Sequence, residues 1–235
     1  MNAAVILAGG TGTRAGLGIP KQYYEVDGKP VISYCLYTFL THEAIDAVQI
    51  AADEMWHDYI RRQLLGLPYN EKFRGFSIPG KNRQLSIYNA LLDMSEYATE
   101  NDTVVIHDAA RPCVSAAQIS DYLKTAKGHD GALPVLPMKD TVYLSENGKT
   151  VSSLLDRGKI YAGQAPEAFA FGKYYEANRA LCPDKILEIN GSTEPAVMAG
   201  MDIAMIAGDE RNFKITTAAD LEHFREIVLK QRGRQ

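Results

Sequence analysis

Three glycines fall within four positions where an apolar run ends, in Leu7-Ala8-Gly9-Gly10-Thr11-Gly12-Thr13-Arg14, and Pro20-Lys21-Gln22 follows closely. Val5 to Leu7 read as a buried strand. Glycines let the chain bend sharply and bring backbone N–H groups against an anion. Arg14 and Lys21 add the full charges that N–H groups lack, so the stretch is suited to a polyphosphate. A tight turn with no ligand is the plain alternative. A dinucleotide-binding loop is another, since Asp53 closes the next strand where a ribose-binding acid would lie. The spacing Gly10-x-Gly12-x-x-x-Gly16 departs from that fingerprint, and two cations exceed what a pyrophosphate diester requires. A triphosphate held for nucleotidyl transfer fits best, because charge stabilisation of the leaving pyrophosphate is the main lever in such chemistry.

A second group follows the apolar run Val104-Val105-Ile106, in His107-Asp108-Ala109-Ala110-Arg111-Pro112. Ligands of open parallel sheets gather at the carboxyl ends of strands. Asp108 is placed there to hold Mg²⁺ against phosphate oxygens, one carboxylate sufficing for a cation that keeps several waters. A helix cap or an ion pair with Arg111 is the structural alternative, and His107 reads as a packed imidazole. Gly80-Lys81-Asn82-Arg83 with Ser86 is either a loop reading a base edge or a solvated cap for the next helix. Asp140-Thr141, Asp156-Arg157 and Lys214 are placed where they could hold a second phosphate, although lone cations are commonly surface charges.

The elements that must carry these residues alternate strand and helix from the start, which predicts a Rossmann-like α/β domain over 1–235. Its sheet is open and mostly parallel, with helices on both faces. Strands are expected at 47–52, 76–78, 103–106, 132–136 and 203–206. Helices are expected at 30–40, from after Asp53 to about Leu65, and at 84–98, 115–127 and 174–181, with another from Ala218. Pro30 is read as the first helical residue. Lys214 is read as interrupting an apolar strand. Thr141 to Leu155 reads as a hairpin with an Asn147-Gly148 turn, the core of a dimerisation arm at about 138–160. A two-stranded arm is marginal alone in water, so a second copy of the chain is the expected partner.

Composition narrows the class. With 46% hydrophobic and 23% charged residues the chain reads as an ordinary globular domain. A net charge of −4 gives no basic field for nucleic acid. Cys35, Cys113 and Cys182 are scattered and odd in number, so neither a disulfide framework nor a cysteine metal site is expected. No apolar run approaches the roughly 18 residues of a membrane span, and no signal segment is read at the start. A cytoplasmic location is the expectation.

Taken together, the glycine loop with Pro20-Lys21-Gln22, the His107 to Pro112 motif, Asp140-Thr141, Asp156-Arg157, Gly163-Gln164-x-Pro166 and Asn212-x-Lys214-Ile215-Thr216 resemble one family. It is that of the cytidylyltransferases acting on 2-C-methyl-D-erythritol 4-phosphate and on ribitol 5-phosphate. The resemblance covers nearly the whole chain. It implies a nucleotide-diphospho-sugar transferase-like fold, a homodimer, and Mg²⁺- and CTP-dependent transfer of CMP to a polyol phosphate. Arg14, Lys21, Asp108 and Lys214 are then catalytic. Ala8, Gly9, Gly10, Gly12, Gly80, Arg83, Ser86 and Ala109 surround the nucleotide. Arg111, Thr141, Arg157 and Lys214 hold the acceptor, with Thr141 and Arg157 reaching the partner subunit's site, and Asp108 holds the metal. Two segments depart from the family pattern: Gln164-Ala165-Pro166-Glu167 where Gln-Thr-Pro-Gln is usual, and Gly191-Ser192-Thr193-Glu194-Pro195. Both fall on the acceptor side. The His107 to Pro112 motif leans toward methylerythritol phosphate and Tyr161-x-Gly163-Gln164 toward ribitol phosphate, the first being favoured. A module that binds CTP without turnover is the non-enzymatic rival, and a nicotinamide oxidoreductase using Asp53 the other.

Overall fold

The computed structural model describes residues 1–11 and 18–233. Gly12 and Arg14 of the predicted site lie outside the described residues. Strands and helices alternate as β1 (Asn2–Leu7), a small ribbon of β2 (Glu25–Val26) and β3 (Lys29–Pro30), α1 (Val31–Thr41), β4 (Ala47–Ala51), α2 (His57–Leu65), β5 (Phe73–Ser77), α3 (Arg83–Met94), β6 (Thr103–Asp108), α4 (Ala116–Ala126) and β7 (Gly131–Pro137). Then follow β8 (Val142–Leu144), β9 (Ser153–Leu155), β10 (Tyr161–Gly163), β11 (Glu167–Ala170), α5 (Phe171–Arg179), α6 (Glu194–Met198), β12 (Ile203–Ala207) and α7 (Ala218–Arg232).

The main sheet among the described residues has eight strands in the order β10-β7-β11-β6-β1-β4-β5, with β12 pairing the far side of β7. β5, β4, β1 and β6 run parallel. β11 is antiparallel between β6 and one half of β7, while β10 pairs the other half of β7. Residues alternate along β1 and β6 between two cores, as a period of two requires. Ala4, Ile6, Val48 and Val105 pack with Ile32, Leu36 and Phe39 of α1, Ile60 of α2, and Ile119 of α4. Ala3, Val5, Val104 and Ile106 pack with Ile87 and Leu91 of α3 and Phe171 and Tyr174 of α5. Each fully buried Leu, Ile or Phe contributes about 1.5–3 kcal/mol, and the two cores make the sheet a filling between helix layers.

Register explains where chemistry collects. Leu7 is level with Asp108 on one side and Ala51 on the other, and Ala51 with Ser77. The carboxyl ends of β1, β6, β4 and β5 therefore lie along one rim, and β1/β6 is where the strand order reverses.

Several boundaries differ from expectation. Pro30 is the residue before α1, its ψ of 147° keeping it extended. α3 ends at Met94, and the turn that follows carries the chain to Ala98. Strand β6 continues through His107 and Asp108, because β1 still offers ladder partners there. Asn212 is a bend and residues 213–216 make no ladder, so Lys214 lies on a loop, not on a strand. The arm is a separate two-stranded sheet of β8 and β9, but its connection spans residues 145–152, with Asn147 accepting from Lys149 and Thr150 N–H. Among the described residues no helix is long and apolar enough to cross a membrane.

Candidate active site

A cavity of about 460 Å³ opens at the β1/β6 rim. One wall is the glycine loop, with Gly9, Gly10, Thr11, Lys21 and Gln22; the opposite wall is Gly80, Lys81, Asn82, Arg83 and Ser86, and Asp108, Ala110 and Lys214 form the floor and far side.

The glycine wall is set by hydrogen bonds that motif reading did not assign. Gln22, 3% exposed, donates from Nε2 to the carbonyls of Ala8 (2.6 Å) and Gly10 (2.7 Å), and Tyr23 Oη donates to Ala8 at 3.0 Å. Lys21 is thereby carried to the cavity by a short turn, Lys21–Tyr23, whose next residues anchor the loop. A Cβ on Gly9 would lie 2.5 Å from Pro79 Cβ, so glycine is required for the two loops to touch.

The opposite wall begins α3. Asn82 caps it by accepting from Leu85 N–H at 2.8 Å. Ser86 Oγ accepts from Gly80 N–H (2.9 Å) and donates to the Asn82 carbonyl (2.9 Å), folding the loop over the first helical turn. A Cβ on Gly80 would meet Leu85 Cβ at 2.4 Å. The capping reading of this loop describes it, and the capped turn aims Arg83 at Asp108.

Asp108 is the electrostatic centre. Oδ1 accepts from Arg83 Nε at 3.0 Å, Oδ2 from Lys214 Nζ at 3.0 Å, and Arg111 Nε stands 3.6 Å from Oδ2. Burial alone would raise its pKa, but Arg83, Lys214 and Arg111 outweigh that and hold the carboxyl well below the usual range. It is ionised. The ion-pair reading of Asp108 is therefore present, and broader than a pairing with Arg111 alone. Burial pushes Arg111 down against the pull of Asp108; the desolvated Arg83 is drawn up by Asp108 and Glu167. Guanidinium stays protonated in both. His107 is fully buried, its Nε2–H donating to the Arg111 carbonyl at 3.0 Å, and burial pushes its pKa down to about 4. The packed-imidazole reading describes it.

Not every predicted residue meets here. Ala109 lies in the core that packs against α1 and α4, and Ala110 takes its place on the cavity wall. Arg111 turns from the cavity, donating from Nη1 to the Asn212 carbonyl at 2.7 Å. Thr141 and Arg157 are exposed on the arm and line no part of the cavity; Arg157 Nη1 donates to the Lys139 carbonyl at 3.0 Å. Asp53 is exposed and outside the cavity, which removes the ribose-binding acid that a nicotinamide site needs. Of the two divergent segments, Glu167 and Ser192 are buried and joined by a hydrogen bond from Ser192 Oγ.

Among the described residues no cluster of three or more His, Cys, Asp or Glu could cage a metal. The donor set fits Mg²⁺ only in its water- and phosphate-rich form: Asp108 offers an ionised hard oxygen, and a carboxylate has about four lone-pair sites, more than its cationic neighbours take.

The model of the IspD family, 2-C-methyl-D-erythritol 4-phosphate cytidylyltransferase, matches residues 2–231. The chain is 34% identical to a 2-C-methyl-D-erythritol 4-phosphate cytidylyltransferase of Clostridium beijerinckii, over 94% of this chain and 95% of that one. It is 33% identical to a ribitol-5-phosphate cytidylyltransferase of Vibrio parahaemolyticus, over 100% of this chain and 99% of that one. A solved structure of the Francisella tularensis 2-C-methyl-D-erythritol 4-phosphate cytidylyltransferase superposes with a TM-score of 0.77 at 28% identity, over 95% of this chain and 98% of that one.

Proposed function

Since the chain belongs to the IspD family of cytidylyltransferases, we propose that it transfers CMP from CTP to 2-C-methyl-D-erythritol 4-phosphate, with release of pyrophosphate. The observation that carries the reading is the ionised Asp108 ringed by Arg83, Lys214 and Arg111 at the floor of a cavity walled by a glycine loop. With Lys21 and Lys81 on its walls, that cavity is net positive and suited to a polyphosphate.

In the reaction an ionised oxygen of the acceptor phosphate attacks the α-phosphorus of CTP. A new P–O bond forms there, the bond to the bridging β-oxygen breaks, and pyrophosphate leaves with the electron pair. No protein nucleophile takes part, so positioning and charge stabilisation carry the rate. Lys21, with Arg14, offsets charge on the triphosphate and on the leaving pyrophosphate. Gly9 and Gly10 bring backbone N–H groups to the same phosphates, Ala8 starts the loop with its own N–H held by the Ala51 carbonyl, Gly12 is assigned to the same phosphates, and Gly80, Arg83, Ser86 and the 109–110 turn enclose the nucleoside. Lys214 serves the acceptor side, while Arg111, turned from the cavity onto the Asn212 carbonyl, supports it through Asp108 and that loop. Asp108 would hold Mg²⁺, which when bound neutralises charge on phosphate oxygens.

The arm belongs to this reading. Tyr143, Val151 and Leu154 on it are 57%, 65% and 65% exposed, and such a ribbon is stable only when it packs on something. A second copy is the partner we assign, with Thr141 and Arg157 delivered to the neighbouring cavity to hold the acceptor phosphate.

A ribitol 5-phosphate acceptor is the second reading, favoured by the full-length match to the Vibrio relative at 33% identity. One experiment separates these. The protein is incubated with each nucleoside triphosphate, Mg²⁺ and a panel of polyol phosphates, and pyrophosphate is measured. Release with CTP and methylerythritol phosphate is expected; release with ribitol phosphate alone moves the assignment to the second reading. No release with any acceptor would leave a CTP-binding module.

A further inference from the structure

We propose that Gln164 is a positioning residue for Lys214: its carboxamide clamps the backbone of the 209–212 loop, so that the following residues present the Lys214 ammonium to Asp108. The proposal rests on the reading of Asp108 and Lys214 as the centre of the reaction.

Residues 213–216 make no strand ladder, so something other than a sheet must fix Lys214. Downstream, Ile215 N–H donates to the Ala110 carbonyl at 2.9 Å. Upstream, the work falls to Gln164, 5% exposed at the end of β10. Its Oε1 accepts from Asp209 N–H at 3.0 Å while its Nε2 donates to the Asp209 carbonyl at 3.1 Å. One side chain thus satisfies both backbone groups of one residue, as a neighbouring strand would. Only a carboxamide supplies a donor and an acceptor side by side in this way. The Asn212 carbonyl, 3.5 Å from Nε2, also receives Arg111 Nη1 at 2.7 Å.

Asn212 returns the grip. Fully buried, it donates from Nδ2 to the Ala165 carbonyl at 2.7 Å, the residue next to Gln164. Two amide side chains therefore interlock the loop with the β10–β11 junction. Gly208 marks how tight the fit is: a Cβ there would lie 2.4 Å from Gln164 Oε1 and 3.1 Å from the Val135 carbonyl. The buried Gln164 carboxamide, both of whose polar atoms are paired here, is costly to leave unpaired, which favours this arrangement of the loop.

Two variants attack the clamp from opposite sides. Gln164→Ala removes the carboxamide, and Gly208→Ala pushes it away. The reporter is the rate at which Lys214 is acetylated by a limiting amine reagent, read by peptide mass spectrometry, with Lys81 on the same cavity as internal control. Lys214 is expected to label about threefold faster or more in each variant with Lys81 unchanged, because a displaced ammonium loses its carboxylate partner. Adding Gly208→Ala to Gln164→Ala is expected to add much less than Gly208→Ala does alone, since the clash with Gln164 is gone and only the 3.1 Å approach to the Val135 carbonyl remains. In turnover, kcat is expected to fall about tenfold while the KM for CTP stays within about threefold. Unchanged Lys214 labelling in both single variants, or Lys81 rising in step with it, overturns the proposal. Full additivity in the double variant overturns it as well. Should Gln164→Ala not fold, Gly208→Ala alone decides through the same labelling ratio. The labelling needs no turnover, so a wild-type protein inactive with every acceptor would defeat the cytidylyltransferase reading and still leave the clamp to be judged.

Discussion

Lys214 Nζ lies 3.0 Å from Asp108 Oδ2, although 106 positions separate the two residues. Neither side chain explains itself alone: the carboxylate is buried among three cations, and the ammonium crosses from a loop to meet it. Asp108→Asn keeps the shape and leaves Arg83, Arg111 and Lys214 facing one another. We expect turnover to fall about 100-fold or more, the scale of removing a central electrostatic group. The melting temperature should also fall, and saturating pyrophosphate should raise it further in the variant than in the wild type, since the anion replaces the missing charge. Thermal melts with and without pyrophosphate check this; equal ligand shifts would count against the charge argument.

Lys21→Ala removes a charge contact worth about 1.5–3 kcal/mol, so the rate with CTP should drop at least about tenfold. The fold should be retained, because Gln22 and Tyr23 anchor the loop independently. A wild-type rate in steady-state assays would remove Lys21 from the phosphate site.

Glu167 should make stability depend on pH near neutrality. Burial raises its carboxyl to about 7, with Arg83 and the Ser192 hydrogen bond pulling the other way. A carboxyl raised from 4.5 in the folded state favours folding most below pH 4.5, and that contribution is lost as pH rises through about 7. The window between is worth up to about 3 kcal/mol. Glu167→Gln cannot titrate, so its urea midpoint should decline less than the wild type's between pH 5 and 8. Parallel declines would show that Glu167 does not titrate in this range.

The arm predicts complementation between inactive chains. Arg157→Ala and Lys214→Ala subunits, mixed under conditions that exchange partners, should form hybrids with one intact site per dimer. About one quarter of wild-type activity should return, from the statistics of a twofold assembly. Sedimentation should give a dimer at micromolar concentration. A monomer, or no recovery on mixing, would place Arg157 outside the shared site.

Much of this was legible in the residues. The unbroken apolar runs at Val5 to Leu7 and Val104 to Ile106 announced central parallel strands, and the charges placed just beyond them announced the rim where ligands gather. What escaped was long-range pairing of ordinary residues. Glu167 to Ala170 carries no alternation that marks an antiparallel strand wedged between β6 and β7, so β11 was not expected. Gln22 and Gln164 act through backbone carbonyls and amides distant in sequence, and a glutamine bears no spacing that signals such a role. Ala109 and Ala110 are the same residue type, and only the strand's continuation through Asp108 decides which of them faces the cavity.

The contact between Gly9 and Pro79 has a consequence for descent. Two loops that touch with no room for a methyl group must be inherited as a matched pair, since altering either one alone breaks the seam. The exposed arm, whose two strands pair only with each other, carries no such mutual constraint with those loops.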